Sequence, residues 1–504
     1  MAGSGRLGPF VGEAAGSAGC ARGPNLSSVH PFEDHLTAPR GLGRLDWADG
    51  TGAAGGAPCG DLLRVDLAVE GDRIADAAFE AEGCGAARAA GSAVVELVAG
   101  RPFLGAARIG AQQVAGELGG LSAGKFHAAS LAADALHRAL GQAASAVRLA
   151  PVDGRTLVAM SGGVDSAVAA QLAHERGDEV VAVTLELWAD PEADTARSCC
   201  SSEAVAIARG LAHRMGMPHL TLDLRGPFGD KVVADFIAEH EAGRTPNPCV
   251  RCNGMVRFDA MLGLADRLGA ARLATGHYAC VERDEHGPVL AAARDTNKDQ
   301  TYMLAALSPD GLDRVWFPLG ELTKPEVREL ARQAQLPVAE RPESQDLCFL
   351  TGTGTEPFLA RRASPDRAGE IVDVAGRVLG RHTGQRQFTI GQRRGLGISA
   401  AEPLFVIDKD ARSGRVTVGP RSALVVSRVA VRGANLHRPG DAVDRVKLRY
   451  RSQPVAARVV GRAEVGRHSR IELEIDGTAE GVAPGQTASL MNGNRIVGWG
   501  VIAA

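Results

Sequence analysis

The chain has 504 residues, 45% of them hydrophobic and 23% charged, and a formal net charge of −3. That is the composition of a folded protein with room for three or four domains, and it excludes a fibrous or wholly disordered chain. No apolar run approaches the roughly 20 residues that cross a bilayer, so no membrane partner is expected, and any nucleic-acid contact must come from local basic patches because the whole-molecule field is weak.

Residues 1–32 are rich in Gly and Ala without the apolar core of a signal peptide, and they read as a disordered tail. Residues 33–145 read as a small α+β domain. Leu62 to Val69 alternates like a strand, a Gly-Asp turn follows at 71–72, Ile74 to Phe79 is a second strand, and Ala-rich helices are expected near 86–99 and 127–141. A short linker around Pro151 to Gly154 leads on.

Between about 154 and 362 the predicted elements alternate. Strands are expected at Thr156–Met160, Glu179–Leu187, His219–Leu224 and Arg272–Thr275, and helices at Ala167–Arg176, Ser202–Met215, Phe228–Glu241 and Val256–Leu268. Alternation of this kind argues for a parallel sheet with helices on both faces, and it puts ligand binding at the carboxyl ends of the strands. After residue 362 short β-like runs and many glycines predict two small β domains, 363–424 and a barrel-like 425–504.

The most informative stretch is Ala159, Met160, Ser161, Gly162, Gly163, Val164, Asp165 and Ser166. An apolar strand ends in a Ser-Gly-Gly turn and a helix begins. Adjacent glycines let several backbone N–H groups face one anion, and the helix N-terminus adds its partial positive charge. The loop lacks the Gly-Lys-Ser/Thr end of a Walker loop, so a pyrophosphate cradle is favoured over γ-phosphoryl transfer. The Ser-Gly-Gly-x-Asp-Ser pattern resembles the PP-loop of ATP pyrophosphatases, which adenylate a substrate oxygen.

Nine cysteines, an odd number scattered over a long chain, argue against a secreted disulfide framework and for reduced thiols in a cytoplasm. Two of them, Cys249 and Cys252, follow the extended Thr245-Pro246-Asn247-Pro248 turn, beside Arg251 and just before a helix. Cationic neighbours and a helix start favour thiolate. Cys348 lies in a polar, loop-like segment 96 residues beyond Cys252. A four-cysteine zinc site lacks a second Cys-x-x-Cys pair, a Cys-x-x-Cys redox centre lacks a thioredoxin-like setting, and sulfur transfer using Cys252 with Cys348 requires both thiols close to an activated substrate.

With these segments together, residues 154–504 resemble the tRNA-specific 2-thiouridylase family, MnmA. Further matching stretches are Ala274 to Tyr278, Lys298 to Tyr302, Phe317 to Lys324 and Thr389 to Gly397. The resemblance implies ATP-dependent 2-thiolation of the wobble uridine of tRNAs for lysine, glutamate and glutamine. It implies ATP contacts at Ala159 to Ser166, Leu185 and Gly276, with Mg²⁺ and Asp165 as a candidate to position it. Cys252 would be the nucleophile and Cys348 the persulfide carrier. Asn247, Pro248, Cys249, His277, Lys298, Asp299, Gln300, Arg449, Tyr450 and Gln486 match tRNA-contacting positions. Many relatives carry Asp where this chain has Cys249, which opens a second reading: Cys249, Cys252 and Cys348 as ligands of an iron–sulfur cluster. Other PP-loop adenylating enzymes, or a non-catalytic cluster carrier with an RNA-binding tail, are the remaining alternatives.

Two basic regions are expected to meet the tRNA backbone. The first is Val374 to Ala401, with arginines at 377, 381, 386, 393 and 394 and no acidic residue. The second is the alternation of Arg445, Lys447, Arg449 and Arg451, which on a strand would share one face.

Residues 33–145 resemble the IscU/NifU-type iron–sulfur scaffold through Pro39-Arg40, Gly56 to Asp61, Gly83-Cys84-Gly85 and Lys125-Phe126-His127. The third ligand cysteine is replaced by Ala128, which leaves Cys59, Asp61, Cys84 and His127 as candidate ligands of zinc or a labile cluster. The resemblance implies a cysteine desulfurase or another sulfur carrier as partner, with the domain either receiving sulfur from it or holding it near Cys348. Cys20, Cys199, Cys200 and Cys280 carry no assigned role.

Overall fold

The computed structural model describes residues 30–55, 60–189, 202–342 and 347–503. Cys20, Cys59, Cys199 and Cys200, like the tail 1–29, lie outside them. The first unit runs α1 (Pro31–Thr37), β1 (Gly50–Gly55), β2 (Leu62–Glu70), β3 (Arg73–Glu82), α2 (Gly85–Val98), α3 (Phe103–Ala106), α4 (Ala111–Glu117) and α5 (Phe126–Ala143). Its three strands form an antiparallel meander. The alanines of α5 leave no bulk between helix and sheet. A Cβ at Gly52 would fall 2.1 Å from the Ala135 carbonyl, so β1 lies hard against the helix.

The second unit holds β4 (Val152–Ala159), α6 (Val164–Glu175), β5 (Glu179–Glu186), α7 (Ser202–Arg214), β6 (His219–Asp223), α8 (Arg225–Phe228), α9 (Ala234–Glu241), α10 (Pro248–Cys252), α11 (Phe258–Arg267) and β7 (Ala270–Thr275). It continues with β8 (Cys280–Asp284), β9 (Gly287–Ala291), α12 (Thr301–Leu304), α13 (Pro309–Leu312), β10 (Val315–Trp316) and α14 (Lys324–Gln333). The parallel sheet has the order β10-β7-β4-β5-β6. Near-continuous apolar strands such as Val180–Val183 are buried on both faces, as a doubly covered sheet requires. Chain order reverses about β4, so the loop after β4 sits at the topological switch point where such sheets bind ligands.

The open edge of this sheet is β6, and the first unit covers it. The His219 amide donates to the Ala107 carbonyl at 2.9 Å, and a Cβ at Gly141 would lie 1.7 Å from the Thr221 carbonyl. Arg138 pairs with buried Glu186 at 2.7 Å, and Arg209 pairs with Asp134. The rings of His137, His213 and His219 meet tilted or edge-on within this contact, with centroids 5.2–6.5 Å apart. One apolar cluster runs through both units. Capping an edge strand removes a row of exposed backbone groups.

Two β units follow. The first is a four-stranded sheet of β11 (Gly369–Val372), β12 (Val378–His382), β13 (Phe405–Asp410) and β14 (Arg415–Gly419). The second is built from β15 (Val425–Leu436), β16 (Arg445–Lys447), β17 (Val455–Val459), β18 (Gly466–Glu480), β19 (Thr487–Asn492) and β20 (Arg495–Ile502), and pairing of β15 with β20 closes it into a barrel. The β8–β9 hairpin of the second unit adds to this barrel through β20, a link between units that the sequence patterns do not announce.

The expected cationic stripe is not built as a stripe. The strand stops at Lys447. Lys447 approaches Asp299 at 3.8 Å, and Arg449 turns inward to the carbonyls of Gly481 and Ile390. In the other basic region Arg377 pairs with Asp373 at 3.0 Å and Arg381 with Glu370 at 3.5 Å, acids that lie just outside the counted window. Arg393 and Arg394 remain exposed.

Candidate active site

The PP-loop forms as its residues dictate. Gly162 takes φ +72°, and a Cβ there would crowd the Ala204 carbonyl at 2.9 Å, so glycine is required at the turn. The Ser166 hydroxyl donates to the Gly163 carbonyl at 3.0 Å and accepts from the Ser161 amide at 3.1 Å, locking the loop onto the first turn of α6. Arg341 donates to the Gly162 carbonyl at 2.9 Å. Gly276 lies against α6 so closely that a Cβ would be 2.7 Å from the Ser166 nitrogen. Leu185 is half-buried near the end of the neighbouring strand β5. Ala159 ends β4 and Met160 leads from it into the loop.

Asp165 does not fit a magnesium ligand. Its carboxylate accepts from Lys324 Nζ at 2.7 and 2.8 Å and from the Tyr278 hydroxyl at 2.9 Å. Lys324 is 8% exposed, so the pair is an internal tie beside the loop.

The thiol loop is held from both ends. Asn247 caps α10, its Oδ1 accepting from the Cys249 and Val250 amides at 3.1 and 3.3 Å, with Pro248 at the first helical position. A π-helical turn, Asn253–Arg257, joins α10 to α11, the kind of irregular turn that recurs at functional sites. From the barrel, Gln486 donates to the Thr245 carbonyl at 2.7 Å, and the Thr245 amide donates to the Pro484 carbonyl at 2.9 Å. Gly485 leaves room for this contact, since a Cβ would sit 2.9 Å from the Thr245 nitrogen.

Cys252 is 6% exposed and Cys348 half-buried, and the two join one apolar cluster with Leu187, Leu224, Phe228, Phe236, Phe349 and Phe358. Leu187 and Leu224 directly follow β5 and β6, so the cluster lies beyond the carboxyl ends of the sheet, on the side of the PP-loop. Phe349, next to Cys348, packs edge-to-face on Phe236 and Phe358 with ring centroids 5.1 and 5.3 Å apart. Cys249 is half-buried one turn before Cys252. The sulfurs of Cys249, Cys252 and Cys348 are not all within 4.8 Å of one another, so they do not form a mononuclear metal site.

The other matched positions form a second tier that holds the loops around these thiols. The Gln300 side-chain oxygen accepts from the Tyr278 amide at 2.9 Å, and Asp299 accepts from Thr301 and from the Ala293 amide. Lys298 opens the same turn. Tyr450 lies 6.2 Å from the ring of Tyr302, whose hydroxyl donates to the Thr487 carbonyl. His277 packs between Phe258 and Phe317 and bonds Thr275, and burial pushes its pKa down to about 3, so it stays neutral. Two roles were missed in the sequence: the Lys324 tie and the Arg341 contact. Both join residues more than 150 positions apart, beyond any local signal. The Cys280 thiol donates to Glu321 Oε1 at 3.3 Å, and burial and that carboxylate push it up to about 12, which disfavours the thiolate.

In the first unit Asp61, Cys84 and His127 converge, with ligand atoms within 4.8 Å of one another. Buried Asp61 accepts from the Cys84 amide at 2.8 Å and lies 3.1 Å from its sulfur and 3.4 Å from His127 Nε2. A Cβ at Gly83 would strike Asp61 Oδ1 at 2.0 Å, so the Gly83 turn is shaped to admit that carboxylate. Thiolate, carboxylate and imidazole fit zinc. Ala128 is fully buried in α5 and offers no ligand.

Comparison with known proteins agrees with this division. Residues 31–146 match the NifU-like N terminal domain, residues 154–352 the tRNA methyl transferase HUP domain, 356–420 the tRNA methyl transferase PRC-barrel domain, and 434–502 the aminomethyltransferase beta-barrel domain. The chain is 46% identical to the bifunctional protein NifU/MnmA of Rubrobacter xylanophilus, over 93% of this chain and 97% of that protein. It is 43% and 44% identical to the tRNA-specific 2-thiouridylases MnmA of Bradyrhizobium sp. and Parvibaculum lavamentivorans, each over 70% of this chain and 91% of the relative.

Proposed function

The chain belongs to the MnmA family of tRNA-specific 2-thiouridylases, in the form that carries a NifU-like domain at its N-terminus, and we propose on that premise that it adenylates the C2 oxygen of the tRNA wobble uridine and replaces it with sulfur from Cys348. The observation that carries this reading is the shared cluster of Cys252 and Cys348 beyond the same strand ends that present the PP-loop.

The chemistry follows from the leaving group. Oxygen at C2 of uracil leaves poorly. Attack of that oxygen on the α-phosphorus of ATP expels pyrophosphate and turns the oxygen into part of AMP. The terminal sulfur of a Cys348 persulfide then attacks C2, and AMP departs with the old oxygen. The Cys252 thiolate attacks Cys348 Sγ, which breaks the S–S bond, leaves sulfur on C2 and forms a Cys252–Cys348 disulfide. An external dithiol reduces that disulfide. The apolar surround of both thiols excludes water, which would otherwise hydrolyse the adenylated base.

The glycine turn of the PP-loop and the α6 N-terminus support binding of the pyrophosphate portion of ATP. The target base must leave its stack to reach the thiols, and Asn247, Pro248 and Cys249 lie at the loop it would meet. The test is direct. Purified chain given ATP, a sulfur donor and unmodified tRNA is expected to release AMP and pyrophosphate only when tRNA is present, and to yield 2-thiouridine. AMP without thiolated RNA would favour a different PP-loop adenylating enzyme.

A further inference from the structure

Sulfane sulfur passes between two cysteines only when one thiolate attacks the other's persulfide, so the sulfurs must come within about 3.5 Å. In this chain the two candidate stations face opposite ends of the sheet. Helix α5 runs along the outer edge of β6 in the direction of the strand. His137 Nδ1 meets the His219 carbonyl at 2.8 Å, and Gly141, one helical turn later, meets the Thr221 carbonyl two residues further along the strand. The start of α5 therefore points toward the amino ends of the strands. His127 stands at that start and holds the corner with Asp61 and Cys84. The thiols of the proposed reaction lie beyond the carboxyl ends. From His127 to Gly141 is about 21 Å of helix, so Cys84 stands at least about 20 Å from the Cys252–Cys348 cluster.

The first unit is not poised to swing across this gap. The His219–Ala107 backbone bond, the Arg138–Glu186 and Arg209–Asp134 pairs and the Arg108 bond to the Gly216 carbonyl at 3.0 Å all span the contact, and one apolar core is continuous through it. Opening it would expose that core and strand Glu186 without its partner.

We infer that the N-terminal domain does not hand sulfur to Cys348 of its own chain, and that the sulfur on Cys348 is supplied by a carrier from outside the chain. The inference rests on the proposed role of Cys348. In the loading step the Cys348 thiolate attacks the carrier's terminal sulfur, the carrier leaves as a thiolate, and Cys348 becomes the persulfide, with no net oxidation. The N-terminal corner is then filled and emptied independently, at the other end of the molecule.

Two measurements test this without relying on tRNA thiolation, so failure of the proposed function would show separately as the absence of thiolated RNA. In the first, the whole chain keeps Cys84 and Cys348 and carries serine at its other seven cysteines, with a nitroxide on each retained thiol. A dipolar distance centred beyond about 20 Å is expected, and a distribution below that overturns the inference. In the second, which needs no variant, the wild-type chain is loaded on its N-terminal domain with radiolabelled sulfane sulfur and diluted about a hundredfold without a carrier. Label is expected to stay off Cys348, or to arrive at a rate that falls with dilution. First-order transfer at a rate independent of concentration, the signature of an intramolecular step, overturns it.

Discussion

Lys324 and Asp165 form the tightest tie at the PP-loop, with the ammonium 2.7 and 2.8 Å from the two carboxylate oxygens. Asp165 is the second residue of α6 and Lys324 the first of α14, so one ion pair joins two helices packed behind the loop. The Lys324 side chain is 10% exposed and that of Asp165 30%. Lys324→Met strands a poorly solvated carboxylate and is expected to lower stability by about 1–3 kcal/mol, read by urea denaturation. Adding Asp165→Asn should return part of that loss, since the stranded charge is then gone. Equal or greater loss in the double variant would show that the pair does not act as a unit.

Asn247 makes the second prediction. Its side chain satisfies two amides at the start of the helix that carries Cys249 and Cys252. Asn247→Ala removes the cap at a cost of about 1 kcal/mol and frees the turn that positions Cys252. Thiolation should fall at least roughly tenfold, while ATP binding measured by calorimetry stays near wild type, because the PP-loop is built from other residues. A matching loss of ATP affinity would mean that the two loops are not separable.

What the sequence made legible follows from how local each signal is. The PP-loop needs only a strand, two glycines and a helix start, all within eleven residues of one another; strand, turn and helix follow in the expected order, although the helix opens at Val164, three residues before the expected Ala167. The helices and parallel strands of the second unit follow from apolar runs of the right length. The clamp of Gln486 on Thr245 spans 241 residues and has no local pattern. The docking of α5 on β6 was hidden for a different reason. An Ala-rich helix and an edge strand each look ordinary until Gly141 is seen to leave room for the Thr221 carbonyl. The cationic stripe misleads because alternation alone suggests a strand through Arg451, whereas pairing with β17 ends at Val446 and pairing with β19 at Lys447.

The two thiols separate the steps of the proposed reaction. Cys348→Ser removes the sulfur carrier but leaves the PP-loop and the Asn247 cap intact. Thiouridine should vanish while tRNA-dependent release of AMP or pyrophosphate persists in part. Cys252→Ala should also abolish turnover, because nothing then resolves the persulfide. Mass spectrometry of tRNA nucleosides with a pyrophosphate assay reads both variants. Loss of adenylation together with thiolation in Cys348→Ser would contradict the assigned order, and multiple turnovers in Cys252→Ala would remove its role.

The histidines between α5 and β6 predict how the joined units respond to pH. Burial holds His213 at about 4 and pushes His137 and His219 well below the ordinary 6.5. All three are therefore neutral in the fold at pH 7, and below 6.5 the unfolded chain binds protons that the folded chain refuses. Stability is complete above pH 6.5 and declines as pH falls toward 4, by up to about 1.4 kcal/mol per pH unit for each histidine. Buried His240 and His277, pushed down to about 4 and about 3, act in the same window elsewhere in the molecule, so the slope alone does not identify the interface. His213→Gln does. Its amide can still donate to the Ala107 carbonyl, which His213 Nε2 meets at 3.1 Å, but it cannot take up a proton. Urea denaturation at pH 7, 6 and 5 should show a slope shallower by about one proton in this variant, with near wild-type stability at pH 7. An unchanged slope would mean that His213 keeps its ordinary pKa and that the contact between the units is wetter than its packing indicates.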